Sequence, residues 1–105
     1  MTRVATVTGG SGAIGGAIVA GLRARSLGRD GITVNCVAPG RIATPRLDQL
    51  YPGGPTPEQL EEIALRRWGT PREFGDVVCF LASERARYVT GQTIVVDGGL
   101  QQALF

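Results

Sequence analysis

The stretch TVTGGSGAIGGAI, residues 6–18, is where this sequence places groups that could do chemistry. The spacing G-x-G-x-x-G is met by Gly10, Gly12 and Gly15. A second register, T-G-x-x-x-G-x-G, fits Thr8, Gly9 and Gly15 but sets Ala13 where the middle glycine belongs. Such a turn between a strand and a helix can hold a pyrophosphate. The first helical N–H groups lack partners, the helix dipole is positive there, and glycine lets the backbone come close. The same residues also suit a tight strand-to-helix turn that needs glycine only for packing, and both readings stand at this level. An acidic partner for an adenosine ribose is expected roughly 20 residues on. The next strand-like run instead ends VNCVAPG, and Asp30 precedes it.

What is missing bounds the chemistry further. There is no histidine and no lysine; all basic residues are arginine. A histidine base, a lysine Schiff base, a lysine proton relay and a Walker-type phosphate lysine are therefore excluded within this sequence. Cys36 and Cys79 sit in apolar runs and read as small buried hydrophobes, with no metal-ligand spacing around them.

These residues need elements to position them. Residues 3–8 (RVATVT) read as a buried strand and residues 13–27 as a helix, with Ile14, Ile18 and Leu22 at i, i+4, i+8 and Val19 beside them. GRDG (28–31) is a turn, ITVNCVAPG (32–40) a second strand, and residues 41–56 a loop or lid. Thr56-Pro57 with Gln59 and Thr70-Pro71 with Glu73 mark capping boxes, predicting helices over 56–68 and 70–84. Phe74, Val77, Val78 and Leu81 would form the apolar face of the latter, and residues 91–99 a third strand.

With 105 residues the chain is one domain at most, and its hydrophobic fraction of 43% suits a folded soluble protein. No apolar run would span a membrane, and the strand-like opening predicts no secretory leader, so the cytosol is the expected location. The net charge of +2 is spread out; Arg66-Arg67 and Arg85/Arg87 suit solvated helix ends better than a nucleic-acid surface.

Taken together, ATVTGGSGAIGGAI, DGITVNCVAPGRIATP, RWGTPREFGDVVCFLAS and YVTGQTIVVDGG resemble, in order, the short-chain dehydrogenase/reductases akin to 3-oxoacyl carrier-protein reductases. The resemblance implies an NAD- or NADP-binding oxidoreductase. It places Thr8, Gly9, Ser11, Gly12, Ile14 and Gly15 at the pyrophosphate turn, and Pro39, Gly40, Ile42 and Thr44 in the segment that closes over the nicotinamide. Asp97, Gly98 and Gly99 resemble the strand end beside the site, which also supports subunit contacts. Family members are more than twice as long. Residues 1–22 resemble their first strand and helix, residues 23–105 their C-terminal part, and the Asn-Ala-Gly segment, active-site serine and Tyr-x-x-x-Lys pair between them have no counterpart here. Tyr51 and Tyr88 have no lysine four residues on. A tyrosine with no cation beside it is poorly matched to catalytic proton transfer at neutral pH. Ser11, Ser26 and Ser83 read as turn, helix and helix-end residues. No catalytic residue and no metal site is expected.

The resulting expectation is a reduced α/β Rossmann-like domain. Three parallel strands in order 1-2-3 would carry helices mainly on one face, leaving the other face bare. Weak NAD(P) binding with little turnover is one functional outcome. The other is a non-catalytic module that associates with itself or with a full-length relative, or an internally deleted product with no function of its own.

Overall fold

The computed structural model describes residues 13–100. Helix α1 (Ala13–Leu27) leads through a single 3-10 turn (Gly28–Asp30) and an extended segment into strand β1 (Cys36–Pro39). Three helices follow, α2 (Pro45–Leu50), α3 (Pro57–Glu61) and α4 (Pro71–Ala82), then a 3-10 turn (Glu84–Ala86) and strand β2 (Thr93–Val96). The two strands are parallel and directly paired, with Cys36 opposite Thr93 and Pro39 opposite Val96. The expected first strand, residues 3–8, lies outside the described residues, so the sheet described here has two strands. No helix among the described residues is long and apolar enough to cross a membrane.

The helices do not share one face. Successive strand side chains point to opposite sides of a sheet. Cys36 packs with Ala20 and Ala24 of α1, whereas its neighbour Val37 packs with Leu81 of α4 and Ala86. The expectation of helices mainly on one face is thus corrected: α1 covers one side of β1 and α4 the other. The near-continuous apolar run through Val34, Cys36 and Val37 is the pattern of a strand buried on both faces. Phe74, Val77, Val78 and Leu81 form the inner face of α4 as expected, against Ile94 and Val96 of β2.

The face of α1 also differs from its periodicity. The helix buries small residues, Ala20 and Ala24, and leaves Ile18, Val19 and Leu22 58%, 50% and 66% exposed. Small side chains let the helix axis come close to β1, which turns the bulky stripe outward. Cys79 is exposed as well, correcting its reading as a buried hydrophobe, while Cys36 is buried.

Three Thr-Pro pairs start three helices. Thr56 and Thr70 form complete capping boxes with Gln59 and Glu73. Thr44 does the same simpler job for α2, its hydroxyl accepting from the Leu47 N–H at 3.4 Å. Residues 41–56 are therefore not all loop; Thr44-Pro45 carries the same start signal as the other two. The helix expected over 56–68 ends at Glu61. There the Leu65 N–H donates to the Gly98 carbonyl at 3.0 Å, and Arg66 takes a left-handed φ of 58°. A tertiary bond across to the end of β2 has replaced further helical turns.

Asn35, fully buried, ties the approach to β1 onto the approach to β2. Its Nδ2 donates to the Val89 carbonyl at 3.1 Å and its Oδ1 accepts from the Gln92 N–H at 3.1 Å. The Val34 N–H donates to Thr90 Oγ1 at 3.0 Å. These side-chain bonds stand in for ladder bonds, which is why both strands are shorter than their apolar runs.

Candidate functional site

Parallel sheets of this kind take ligands beyond the carboxyl ends of their strands. Here β1 ends at Pro39 and the chain continues as Gly40–Thr44 along a cleft of about 380 Å³. Pro39, Gly40, Ile42 and Thr44 all line it, so the four residues assigned to the nicotinamide side converge on one place. Sequence reasoning missed the opposite wall: Arg46, Leu47 and Leu50 from α2, and Pro71 and Phe74 from the start of α4. The Thr44-Pro45 helix signal would have found the first three.

The Gly40–Thr44 segment is held from several sides. The Gly40 N–H donates to the Val96 carbonyl at 2.9 Å. Ile42 bridges Gly69, with the Gly69 N–H donating to the Arg41 carbonyl at 2.9 Å and the Ala43 N–H to the Gly69 carbonyl at 2.8 Å. A side chain at residue 69 would collide with Ile42, since its Cβ would lie 2.9 Å from Ile42 Cδ1. Arg41 points away from the cleft, pairing with Glu62 at 2.8 Å and donating to the Gln59 carbonyl at 3.2 Å. The floor of the cleft is therefore rigid, built on backbone bonds.

Next to it lies a smaller cavity of about 120 Å³ lined by Arg41, Arg67, Glu73 and Asp97 among others. Its charges are already engaged. Arg67 makes a two-pronged bond to Glu73, both arms 2.7 Å, and the Asp97 carboxylate accepts from the Gly99 N–H at 2.9 Å. The Arg67 bonds, followed by the Thr70 N–H, pull the Glu73 carboxyl down to about 2. This ion pair locks the start of α4, and with it Pro71 and Phe74, in the cleft wall.

Of the remaining expected residues, Ile14 and Gly15 fall in the first turn of α1, while Thr8, Gly9, Ser11 and Gly12 lie outside the described residues. Neither tyrosine lines the cleft. Tyr51 leaves α2 and lies against Trp68, ring centroids 6.0 Å apart. Tyr88 is fully exposed and borders a groove with Ile32 and Thr33, at the amino ends of the strands. The Ser26 hydroxyl donates to the Arg23 carbonyl and that of Ser83 to the Phe80 carbonyl, both helix-end roles. Among the described residues no cluster of His, Cys, Asp or Glu could hold a metal.

Comparison with known proteins gives the family. Residues 16–101 match the family described as enoyl-(acyl carrier protein) reductase. The chain belongs to the short-chain dehydrogenase/reductase family, on its 3-oxoacyl carrier-protein reductase-like side. It is 48% identical over 77 residues to cyclohexanol dehydrogenase of Rhodococcus sp., and 46% over 77 residues to the 3-oxoacyl-(acyl-carrier-protein) reductase of Staphylococcus epidermidis. Each match covers 73% of this chain but only 28% and 31% of the respective relative. Among solved structures it resembles a blue fluorescent protein from a metagenomic library, in complex with NADPH. The TM-score is 0.80 and the identity 30%, over 93% of this chain and 44% of the other.

Proposed function

We propose that this chain keeps the cofactor side of a short-chain dehydrogenase/reductase, binds NAD(P)(H) weakly, and turns over little substrate by itself. The observation that carries this reading is the convergence of Pro39, Gly40, Ile42 and Thr44 on one cleft at the carboxyl edge of the sheet. The cleft suits the ring end of a dinucleotide. Its walls are mostly apolar, and Thr44 offers a hydroxyl proton after accepting from the Leu47 N–H. Thr8, Gly9, Ser11, Gly12, Ile14 and Gly15 would supply the N–H groups for the pyrophosphate. A bound reduced nicotinamide would supply a hydride.

Little in the chain would manage the matching proton. The residues lining the cleft include no tyrosine, serine or carboxylate, and the sequence has no lysine or histidine. Loss of general acid help costs about 10²–10⁴-fold in rate. The reading also takes residues 1–22 as the first βα unit of a family member and 23–105 as its C-terminal part, joined across a deletion. Calorimetric titration with NADH and NADPH tests the proposal. Dissociation constants in the high-micromolar to millimolar range are expected; no heat with either cofactor at millimolar concentration removes it.

A second reading has its own support. Ile18, Val19 and Leu22 on α1 and Val95 on the same side of the sheet are exposed. Such a face favours association with a second copy or with a full-length relative. Sedimentation equilibrium distinguishes the outcomes, and a monomer at micromolar concentration counts against this one.

A further inference from the structure

We propose that the cleft between α2 and α4 binds an organic acid with a compact apolar body, its carboxylate or sulfonate held by Arg46. The acid would take the space read above as that of the nicotinamide ring, so the two ligands compete, but its binding does not need the glycine-rich turn to hold a dinucleotide. The walls are apolar: Pro39, Ile42, Leu47, Leu50, Pro71 and Phe74. At about 380 Å³ the space falls within the range of small-molecule sites and suits a body of one or two rings.

Arg46 is the charged residue in that lining. Three other arginines are already engaged: Arg41 with Glu62, Arg66 with Glu61, Arg67 with Glu73. Among the described residues no carboxylate pairs with Arg46, and none lines the cleft. Asp48, two residues along α2, is not part of the lining. A guanidinium that no described carboxylate engages, at the edge of an apolar cleft, offers forked donors to a planar oxyanion while the walls take up the hydrocarbon. An uncharged ligand of the same shape would gain only the apolar part. A cationic one would meet a like charge.

The test uses naphthoate and its uncharged near-isostere naphthamide, titrated by calorimetry into the full chain. Wild type is expected to bind naphthoate about tenfold more tightly than naphthamide. Arg46→Gln should erase that difference by weakening naphthoate alone, and Arg46→Lys should restore part of it. Leu50→Ser, at an exposed wall position that the fold tolerates, should weaken both ligands. Amide shifts at Arg46, Leu47 and Leu50 should follow naphthoate in wild type. Equal affinity for the two ligands, no naphthoate binding at millimolar concentration, or an equal effect of Arg46→Gln on both overturns the proposal. So does an unchanged affinity in Leu50→Ser, which would move the ligand to another apolar surface such as the α1 stripe. A dinucleotide that fails to bind while naphthoate binds leaves this assignment intact and removes only the cofactor reading.

Discussion

Gly40 lies against Asp97 so closely that a Cβ on Gly40 would stand 2.5 Å from Asp97 Cβ and 2.7 Å from its Cα. The two residues follow the paired ends of β1 and β2, and their contact closes the sheet just beneath the cleft. The obstacle includes backbone, so a larger residue must push the strand ends apart. Gly40→Ala is expected to lose about 1–3 kcal/mol of stability by overpacking. Urea unfolding followed by the emission of Trp68, the single tryptophan, reads this directly. An unchanged midpoint would show that the strand ends yield freely.

Asn35→Leu keeps the side-chain size and removes both hydrogen bonds. The Val89 carbonyl and the Gln92 N–H are then left without their Asn35 partner. A buried polar group without a partner costs about 1–3 kcal/mol, and a loss in that range is expected in the same unfolding measurement. Amide exchange should accelerate first over residues 89–92.

The Glu73 carboxyl is held at about 2, first by the Arg67 hydrogen bonds and then by the Thr70 N–H. A carboxyl lowered in the folded state contributes stability that is present above its ordinary value of 4.5 and disappears as pH falls toward 2. Wild type should therefore exceed Glu73→Gln in stability at neutral pH, with the gap closing between those two values. Arg67→Gln should raise the Glu73 titration, read from its carboxyl carbon shift. A Glu73 titration that ignores Arg67 would sink the assignment.

Leu22→Asp places a charge in the exposed α1 stripe without touching Ala20 or Ala24. Self-association, read by sedimentation, is expected to weaken severalfold while the unfolding midpoint stays within about 0.5 kcal/mol of wild type. A mutant that associates like wild type would locate any interface elsewhere.

Much of the chain was legible residue by residue. α1, the capping boxes of α3 and α4 and the apolar face of α4 follow from local signals: side-chain reach to the first N–H groups and helical spacing. Of the candidate cleft, the Pro39, Gly40, Ile42 and Thr44 side lies in a stretch the sequence singles out, whereas the α2 wall lies within residues 41–56, where the Thr44-Pro45 helix start is a local signal as plain as the other two.

The sequence by itself determined family membership, the absence of histidine and lysine, and the positions where three helices begin. Each of these depends on residue identity or on bonds spanning a few positions. Only the tertiary structure decided that α1 and α4 lie on opposite sides of β1, that α1 buries its alanines and exposes Ile18, Val19 and Leu22, and that α3 stops at Glu61. It alone brought Arg46 to the edge of the cleft. Those outcomes turn on contacts between residues distant in sequence, such as Cys36 with Ala20, Val37 with Leu81 and Leu65 with Gly98. Local periodicity reports which residues are apolar; which of them are covered depends on what packs closest.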